Sequence, residues 1–139
     1  MTRLVLDCSV AMAWCFETEA DRYADAVLDA LADGMAVVPA LWPLEVANVL
    51  VMAERRRRLS RADTMRFLEL TGALPLVVDN PITIGELPGL LGLATTHRLS
   101  AYDAAYLHLA MREQLPLATR DRALSAAARA TGVRPFVRA

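Results

Sequence analysis

Four acidic side chains stand at comparable places along the chain, each next to the predicted end of a strand or start of a helix. They are Asp7, Glu45, Asp103 and Asp121. In a parallel sheet the carboxyl ends of the strands share one edge, so we expect these carboxylates to converge there. Convergent carboxylates repel one another unless a cation lies between them. An all-oxygen ligand set suits Mg²⁺ or Mn²⁺.

Three polar side chains lie close to these acids in the sequence. Asn48 follows Glu45 by three residues and shares its helix face. Ser9 and Thr119 each lie two residues from an acid, Asp7 and Asp121 respectively. A metal held by such a cluster activates water and neutralises charge on a phosphate, which fits phosphodiester hydrolysis. The alternative for each acid alone is helix capping, since acids are favoured at N-caps and in first turns.

The pattern of apolar residues predicts strands alternating with helices. Residues 3–7, 35–38, 75–79, 115–119 and 133–137 are predicted as strands, the last at an edge because it contains Pro135. Predicted helices cover 9–16, 20–33, 42–59, 60–73, 87–97, 100–114 and 123–130, with an acidic break at 17–21 and Gly34 as a C-cap. This alternation predicts an α/β fold with a mostly parallel sheet, in a single domain over residues 1–139.

Composition narrows the possible functions and partners. The hydrophobic fraction of 55% predicts a folded chain, and the net charge of −1 excludes a broad basic surface for nucleic acid. Any nucleic-acid contact is therefore expected through a bound metal or from a local patch such as Arg55, Arg56, Arg57 and Arg58, whose alternative is a solvated helix end. The two cysteines fit no zinc motif, and Asp7 interrupts the only stretch that resembles a signal peptide. We expect a cytoplasmic protein that does not enter a membrane.

Several motifs together resemble the PIN-domain ribonucleases, and the VapC-type toxins of toxin–antitoxin pairs in particular. The motifs are Leu4-Val5-Leu6-Asp7-Cys8-Ser9-Val10, Glu45-Val46-Ala47-Asn48-Val49-Leu50, Leu99-Ser100-Ala101-Tyr102-Asp103-Ala104-Ala105-Tyr106-Leu107 and Leu117-Ala118-Thr119-Arg120-Asp121.

This resemblance implies a three-layer sandwich with helices on both faces of the sheet, and Mg²⁺- or Mn²⁺-dependent cleavage of RNA. It also implies a homodimer and a cognate antitoxin that blocks the site. Under the resemblance the four acids match the catalytic, metal-binding quartet, and the polar neighbours match its supporting positions. These are Asp7, Glu45, Asp103 and Asp121, with Ser9, Asn48 and Thr119.

Two features of the sequence complicate this interpretation. Arg120 and Arg122 flank Asp121, and either is expected to compete with a metal for its carboxylate. The apolar surplus of the helix that begins at Trp42 predicts either extensive burial or a dimer interface.

His97 and His108 are expected to be ordinary packing or surface residues, since a metal-bound water needs no imidazole.

Two other functions use similar residues. A phosphoacceptor regulatory domain also gathers acids around Mg²⁺, but it relies on a lysine and all fifteen basic residues here are arginine. A dehalogenase-like phosphatase needs a second aspartate where this chain has Ser9, and no GK[ST] or GxGxxG motif for nucleotides occurs. A non-catalytic binding module in the PIN fold is the remaining alternative.

Overall fold

The computed structural model describes residues 1–16 and 21–137, and its centre is a parallel sheet. In this part of the chain the strands are β1 (Thr2–Leu6), β2 (Gly34–Val38), β3 (Leu76–Val78) and β4 (Leu117–Ala118). All pairings are parallel, and the order across the sheet is β3-β2-β1-β4. The predicted α/β sandwich is confirmed.

Helices connect the strands and cover the sheet. Their bounds are α1 (Cys8–Cys15), α2 (Arg22–Ala30), α3 (Trp42–Arg55), α4 (Arg61–Gly72), α5 (Leu87–His97), α6 (Ala101–Glu113) and α7 (Arg122–Ala130). Short 3₁₀ turns at Leu31–Asp33 and Ile84–Glu86 lead into β2 and α5. None of the described helices is long and apolar enough to cross a membrane.

Strand β1 is the axis of the fold because its apolar residues are enclosed on both faces. Leu4, Val5 and Leu6 have no exposed surface. Each such side chain contributes about 1.5–3 kcal/mol through burial. Val5 pairs with Val37 of β2 on one side and with Leu117 of β4 on the other. A continuous apolar run is what a central parallel strand requires.

The largest difference from the predicted elements is the end of α3, which stops at Arg55 rather than at residue 59. Arg57 adopts a left-handed φ of 58°. The N–H of Arg57 then bonds the carbonyl of Glu54 at 3.0 Å, and the N–H of Arg58 bonds that of Ala53 at 2.8 Å. These are the two bonds of a Schellman motif, which ends a helix.

The interior of α3 also differs from the prediction that it is buried on most sides. It buries one stripe, which consists of Trp42, Val46, Leu50 and Ala53. Leu44 on its outer side is 75% exposed and Val51 is 44% exposed. The apolar surplus of this helix therefore faces outward.

The last predicted strand, 133–137, is wrong. Only an isolated bridge joins Pro135 to Leu117. Leu117 donates to the carbonyl of Arg134 at 3.0 Å and accepts from the N–H of Phe136 at 2.9 Å. Both bonds use the neighbours of Pro135, whose missing N–H would point away from β4, so proline fits this outer position. The described residues form no second bridge here. Strand β4 is likewise shorter than the predicted 115–119.

Gly34 ends the helical segment as its C-cap, as predicted, and its N–H bonds the carbonyl of Leu31. It does so with an extended φ of −135°, because it also begins β2. Its lack of a side chain matters for a steric reason. A Cβ at this position would lie 2.6 Å from the Thr2 carbonyl oxygen and 2.8 Å from that of Ala30.

The predicted break at 17–21 and the start of the helix predicted from residue 20 fall on residues 17–20, outside the described residues. Within the described chain, α2 begins at Arg22 with Asp21 as its N-cap.

We expect Gly34→Ala to lower the free energy of unfolding by about 2–4 kcal/mol, because the new methyl group would overlap two backbone oxygens that belong to the sheet and the preceding helix. Gly92→Ala is the matched control. No atom lies within 4 Å of a Cβ at Gly92, in the interior of α5, so this change should stabilise by up to about 1 kcal/mol. Urea unfolding followed by circular dichroism measures both. Equal effects of the two substitutions would contradict the proposed close approach at Gly34.

Candidate functional site

The candidate site lies where the strand order reverses. From β1 the chain adds β2 and β3 on one side of the sheet, and then β4 on the other. The carboxyl ends of β1 and β4 therefore flank the crevice in which α/β proteins bind their ligands. Asp7 directly follows β1, and its N–H bonds the carbonyl of Ala118 in β4 at 2.9 Å.

Asp7 is the most enclosed acid of the site, with 6% of its surface exposed. It occupies the N-cap position of α1, but its side chain makes no capping bond. Instead Oδ2 accepts two hydroxyl hydrogen bonds, one from Ser9 and one from Thr119, both at 2.7 Å. The side chain is therefore oriented by hydroxyl groups from two different parts of the chain.

The same two hydroxyls accept backbone hydrogen bonds from the loop after β4. Ser9 Oγ accepts the N–H of Arg120 at 3.1 Å, and Thr119 Oγ1 accepts the N–H of Asp121 at 3.0 Å. This arrangement ties the end of β1 to the start of α7. Ser9 and Thr119, which the sequence analysis placed beside the acids, thus both bond one oxygen of Asp7.

Asp121 caps α7, and its Oδ1 accepts the N–H of Leu124 at 2.8 Å. The expected competition from the neighbouring arginine side chains does not appear in the described part of the chain. The guanidinium of Arg120 pairs with Asp21 at 2.6 Å, and Arg122 is exposed. Asp121 thus combines a capping role with a place in the acidic cluster.

Glu45 and Asp103 lie in the first turns of α3 and α6. The N–H of Asp103 bonds Ser100 Oγ at 3.1 Å, which fixes the start of α6. The carboxylate of Glu45 accepts a hydrogen bond from the hydroxyl of Tyr106. Asn48, predicted as a supporting residue, is exposed on α3 one turn beyond Glu45.

The sequence analysis gave no role to Tyr106. Its ring has no exposed surface, and its hydroxyl accepts the N–H of Cys8 at 3.3 Å. Its spacing could have indicated a place in the site, because Tyr106 follows Asp103 by three residues and shares its helix face.

Burial, followed by repulsion from neighbouring carboxylates, raises the pKa values of Asp7, Glu45 and Asp103. Burial raises the pKa of Asp7 most, the hydroxyls of Thr119 and Ser9 partly offset this, and the charge of Asp121 raises it further. Burial likewise raises the pKa of Glu45, with additional repulsion from Asp7 and Asp103. The pKa of Asp103 is raised by burial and then by the charges of Asp121 and Asp7. Each acid is therefore coupled to at least one other.

The donor set fits a hard divalent ion in its chemistry. It offers carboxylate and hydroxyl oxygens, and no arginine charge offsets the raised pKa values in the described chain. Among residues 1–16 and 21–137, however, no three His, Cys, Asp or Glu side chains stand close enough together to hold a metal ion. The described side chains therefore form at most part of a ligand shell.

Other residues considered from the sequence lie apart from this cluster or take no part in its chemistry. Burial raises the pKa of the Cys8 thiol to about 12, with Glu45 and Asp7 adding to the effect, so the thiol stays protonated. His108 pairs with Glu86 at 3.1 Å. The indole of Trp14 donates to the carbonyl of Ala24 at 2.8 Å, which joins α1 to α2.

The four consecutive arginines lie at the far end of α3. Glu45 and Arg55 are ten residues apart on this helix, which corresponds to about 15 Å along its axis. All four are exposed, and the guanidinium of Arg58 also lies 4.3 Å from the centre of the Phe16 ring. They stand at the opposite end of α3 from Glu45.

We expect Asp7→Asn to stabilise the protein in EDTA above neutral pH. The raised pKa of Asp7 means that its ionised form costs folding free energy, and this cost is fully present above the folded-state pKa. Asparagine removes the charge, and its carbonyl oxygen can accept both hydroxyl bonds. The expected gain at pH 8 is about 1 kcal/mol, or about 4 °C in melting temperature.

The gain should shrink as the pH falls through the folded-state pKa of Asp7, because the wild-type carboxyl becomes neutral as well. Thermal melts between pH 4 and pH 8 measure this trend. Glu69→Gln, at an exposed carboxylate on α4, is the control and should show no such dependence. A wild-type protein that is more stable than Asp7→Asn at pH 8 would contradict the expectation.

Comparison with known proteins identifies the family and the fold of the chain. The family model for the PIN domain matches residues 4–130. Among solved structures, the crystal structure of PAE2754 from Pyrobaculum aerophilum is similar with a TM-score of 0.66 and 24% identity, over 91% of this chain and 79% of that one. FitAcB from Neisseria gonorrhoeae is similar with a TM-score of 0.65 and 19% identity, over 96% of each chain. Comparison with curated protein sequences finds no match. The extent of the family match and the shared fold show that this chain belongs to the PIN domain family.

Proposed function

We propose that this chain is a Mg²⁺- or Mn²⁺-dependent endoribonuclease and the toxin of a type II toxin–antitoxin pair, folded as a single domain over residues 1–139. The observation that carries this proposal is the placement of Asp7. A buried carboxylate at the strand-order reversal lies within electrostatic range of three others. Membership of the PIN domain family supports a nuclease, since PIN domains are generally nucleases.

In this proposal Asp7, Glu45, Asp103 and Asp121 hold the metal. When bound, the ion supplies an activated water and neutralises charge on the scissile phosphate. The protein's own residues orient the carboxylates. Ser9 and Thr119 occupy Oδ2 of Asp7, which leaves Oδ1 as the oxygen that these two bonds do not engage. No side-chain nucleophile is required, and the protonated Cys8 thiol does not provide one.

The phosphoacceptor alternative is less well supported by the same contacts. Such a domain relies on a lysine beside the reactive aspartate, and the chain has none. Arg120, one of the two basic residues adjacent to Asp121 in sequence, pairs with Asp21. A non-catalytic binding module in the PIN fold is distinguished by the following assay.

We expect the purified protein to cut total RNA in the presence of Mg²⁺ or Mn²⁺ and to stop cutting in EDTA. Asp7→Asn and Asp103→Asn should each lower the rate at least 100-fold while the circular dichroism spectrum stays unchanged, because each removes a charged metal ligand. Cleavage is followed on denaturing gels under single-turnover conditions.

Glu69→Gln is the matched control for this assay, since it neutralises an exposed carboxylate on α4. It should retain the wild-type rate. Cleavage that persists in Asp7→Asn and Asp103→Asn would contradict the proposed site. Formation of a stable aspartyl-phosphate from a small phosphodonor would instead favour the phosphoacceptor alternative.

The arginines at the end of α3 are the proposed secondary contact for the RNA substrate. Arg55, Arg56, Arg57 and Arg58 are exposed cations, and Arg55 lies about 15 Å from Glu45 along the helix axis. At that separation they would meet phosphates a few nucleotides away from the cut rather than at the scissile bond. Contacts of this kind add affinity without reading sequence.

We also propose a homodimer that forms through the outer faces of α3 and α4. Leu44 is 75% exposed and Val51 is 44% exposed on α3, while Met65 and Leu68 on α4 are 51% and 42% exposed. The last three side chains line a groove of about 470 Å³ between the two helices. Contiguous exposed apolar surface of this kind is typical of protein interfaces, and a second copy of the same face can cover it.

Val51→Asp should convert the dimer to a monomer, because it places a charge in the middle of this apolar face. Size-exclusion chromatography with light scattering gives the mass directly. Ile84→Asp is the control, since Ile84 is 83% exposed but lies outside α3 and α4. A protein that is monomeric before mutation, or a dimer that only Ile84→Asp dissociates, would contradict this interface.

The remaining partner in this proposal is a cognate antitoxin that blocks the acidic site, and the proposed location is the cytoplasm. The structural likeness to FitAcB supports such a partner. A short reading frame that overlaps or precedes this one and encodes a DNA-binding protein is the genomic feature expected. Co-expression of that protein should suppress the RNA cleavage described above.

A further inference from the structure

Tyr106 connects three of the elements that build the acidic site. Its ring is fully buried in the core, and its hydroxyl lies between α3 and the first residue of α1. There it donates to Oε1 of Glu45 and accepts the N–H of Cys8, the residue that follows Asp7. Asp103 stands one helical turn earlier on the same face of α6.

The phenol contacts the acid that most needs a fixed orientation. Glu45 has three side-chain torsions, and the charges of Asp7 and Asp103 both repel its carboxylate. Without a donor from the protein, this carboxylate would be expected to turn away from the cluster into solvent. A hydrogen bond from a rigid, buried ring opposes that rotation at little entropic cost to the donor.

We propose that Tyr106 is a positioning residue that holds Glu45 toward Asp7, so that a divalent ion meets a partly assembled set of ligands. This inference rests on the proposed function, because it assigns Tyr106 a task in the same metal site. In this inference Tyr106 acts on the ion only through its bond to Oε1 of Glu45. The second oxygen of Glu45 is left for the ion.

Packing alone does not account for the hydroxyl. A phenylalanine would fill the same buried volume, whereas a buried hydroxyl costs free energy unless it is hydrogen-bonded. Here the hydroxyl both donates and accepts, and both partners belong to the segments that carry Asp7 and Glu45. The two partners identify the phenol as a link within the site.

The test is Tyr106→Phe, which removes one oxygen and keeps the ring. The affinity for Mn²⁺, measured by isothermal titration calorimetry, should fall about 10-fold or more, as is typical when a residue that orients a ligand is removed. The single-turnover rate at saturating RNA should fall as well, while KM for RNA stays unchanged. Tyr102→Phe is the matched control on the same helix, where the ring is 66% exposed, and it should bind Mn²⁺ like the wild type.

A double-mutant cycle with Glu45→Gln separates positioning from a general loss of stability. If Tyr106 acts through Glu45, removing its hydroxyl should change the Mn²⁺ affinity less than about 2-fold once the Glu45 carboxylate is gone. Full Mn²⁺ affinity in Tyr106→Phe, or the same loss in both backgrounds, would overturn the inference. Failure of the proposed function itself looks different, since the wild type would then bind no Mn²⁺ that depends on Asp7.

A second measurement does not require Tyr106→Phe to fold. The buried hydroxyl proton of Tyr106 is expected as a slowly exchanging, downfield proton resonance, because it is shared with a carboxylate. It should move upfield in Glu45→Gln, and it should shift when Mg²⁺ is added to the wild type. A hydroxyl resonance that responds to neither change would overturn the inference.

Discussion

The repulsion among partly buried carboxylates is the constraint on which the rest of this structure depends. Asp7 lies at the end of the central strand with little exposed surface, and burial alone makes its ionised form costly. Placing other acids within electrostatic range increases that cost. The fold can tolerate this cost because strand β1, which ends at Asp7, is among its most deeply buried elements. The apolar contacts of Leu4, Val5 and Leu6 fix the position of Asp7 whatever its charge state.

The chain relieves this repulsion with neutral donors. Ser9 and Thr119 bond Asp7, and the phenol of Tyr106 bonds Glu45. Hydroxyl groups lower the pKa of a carboxylate without cancelling its charge, so the cluster keeps its negative potential. An arginine in the same place would satisfy the acids more strongly and would also exclude a cation. The choice of donor therefore distinguishes a site prepared for a divalent ion from a structural ion-pair network.

The sequence was sufficient to predict the order of the main helices and strands from β1 to α7, and the end of β1 at which Asp7 lies. The reason is that both follow from local patterns, such as the apolar run before Asp7 and the Ser60–Asp63 capping box that begins α4. Features that depend on contacts between distant residues could not be predicted in this way. The close approach of Gly34 to Thr2 and Ala30 is one example, and the bond from Tyr106 to Glu45, 61 residues away, is another. The end of α3 was misplaced because arginine is a good helix former, and the Schellman motif requires Arg57 to leave the helical region.

The partner of Arg120 is set by a contact between distant residues and not by its neighbour in the sequence. In sequence Arg120 stands beside Asp121, and a local ion pair would place its charge on the acidic cluster. In the fold its backbone N–H is held by Ser9 and its guanidinium by Asp21, at the start of α2. The Ser9 hydroxyl also bonds Asp7. One hydroxyl therefore orients Asp7 and fixes the backbone of Arg120, whose guanidinium is directed to Asp21. The orientation of Asp7 and the exclusion of a competing cation are therefore parts of one hydrogen-bonded arrangement, which joins β1, α2 and the loop before α7.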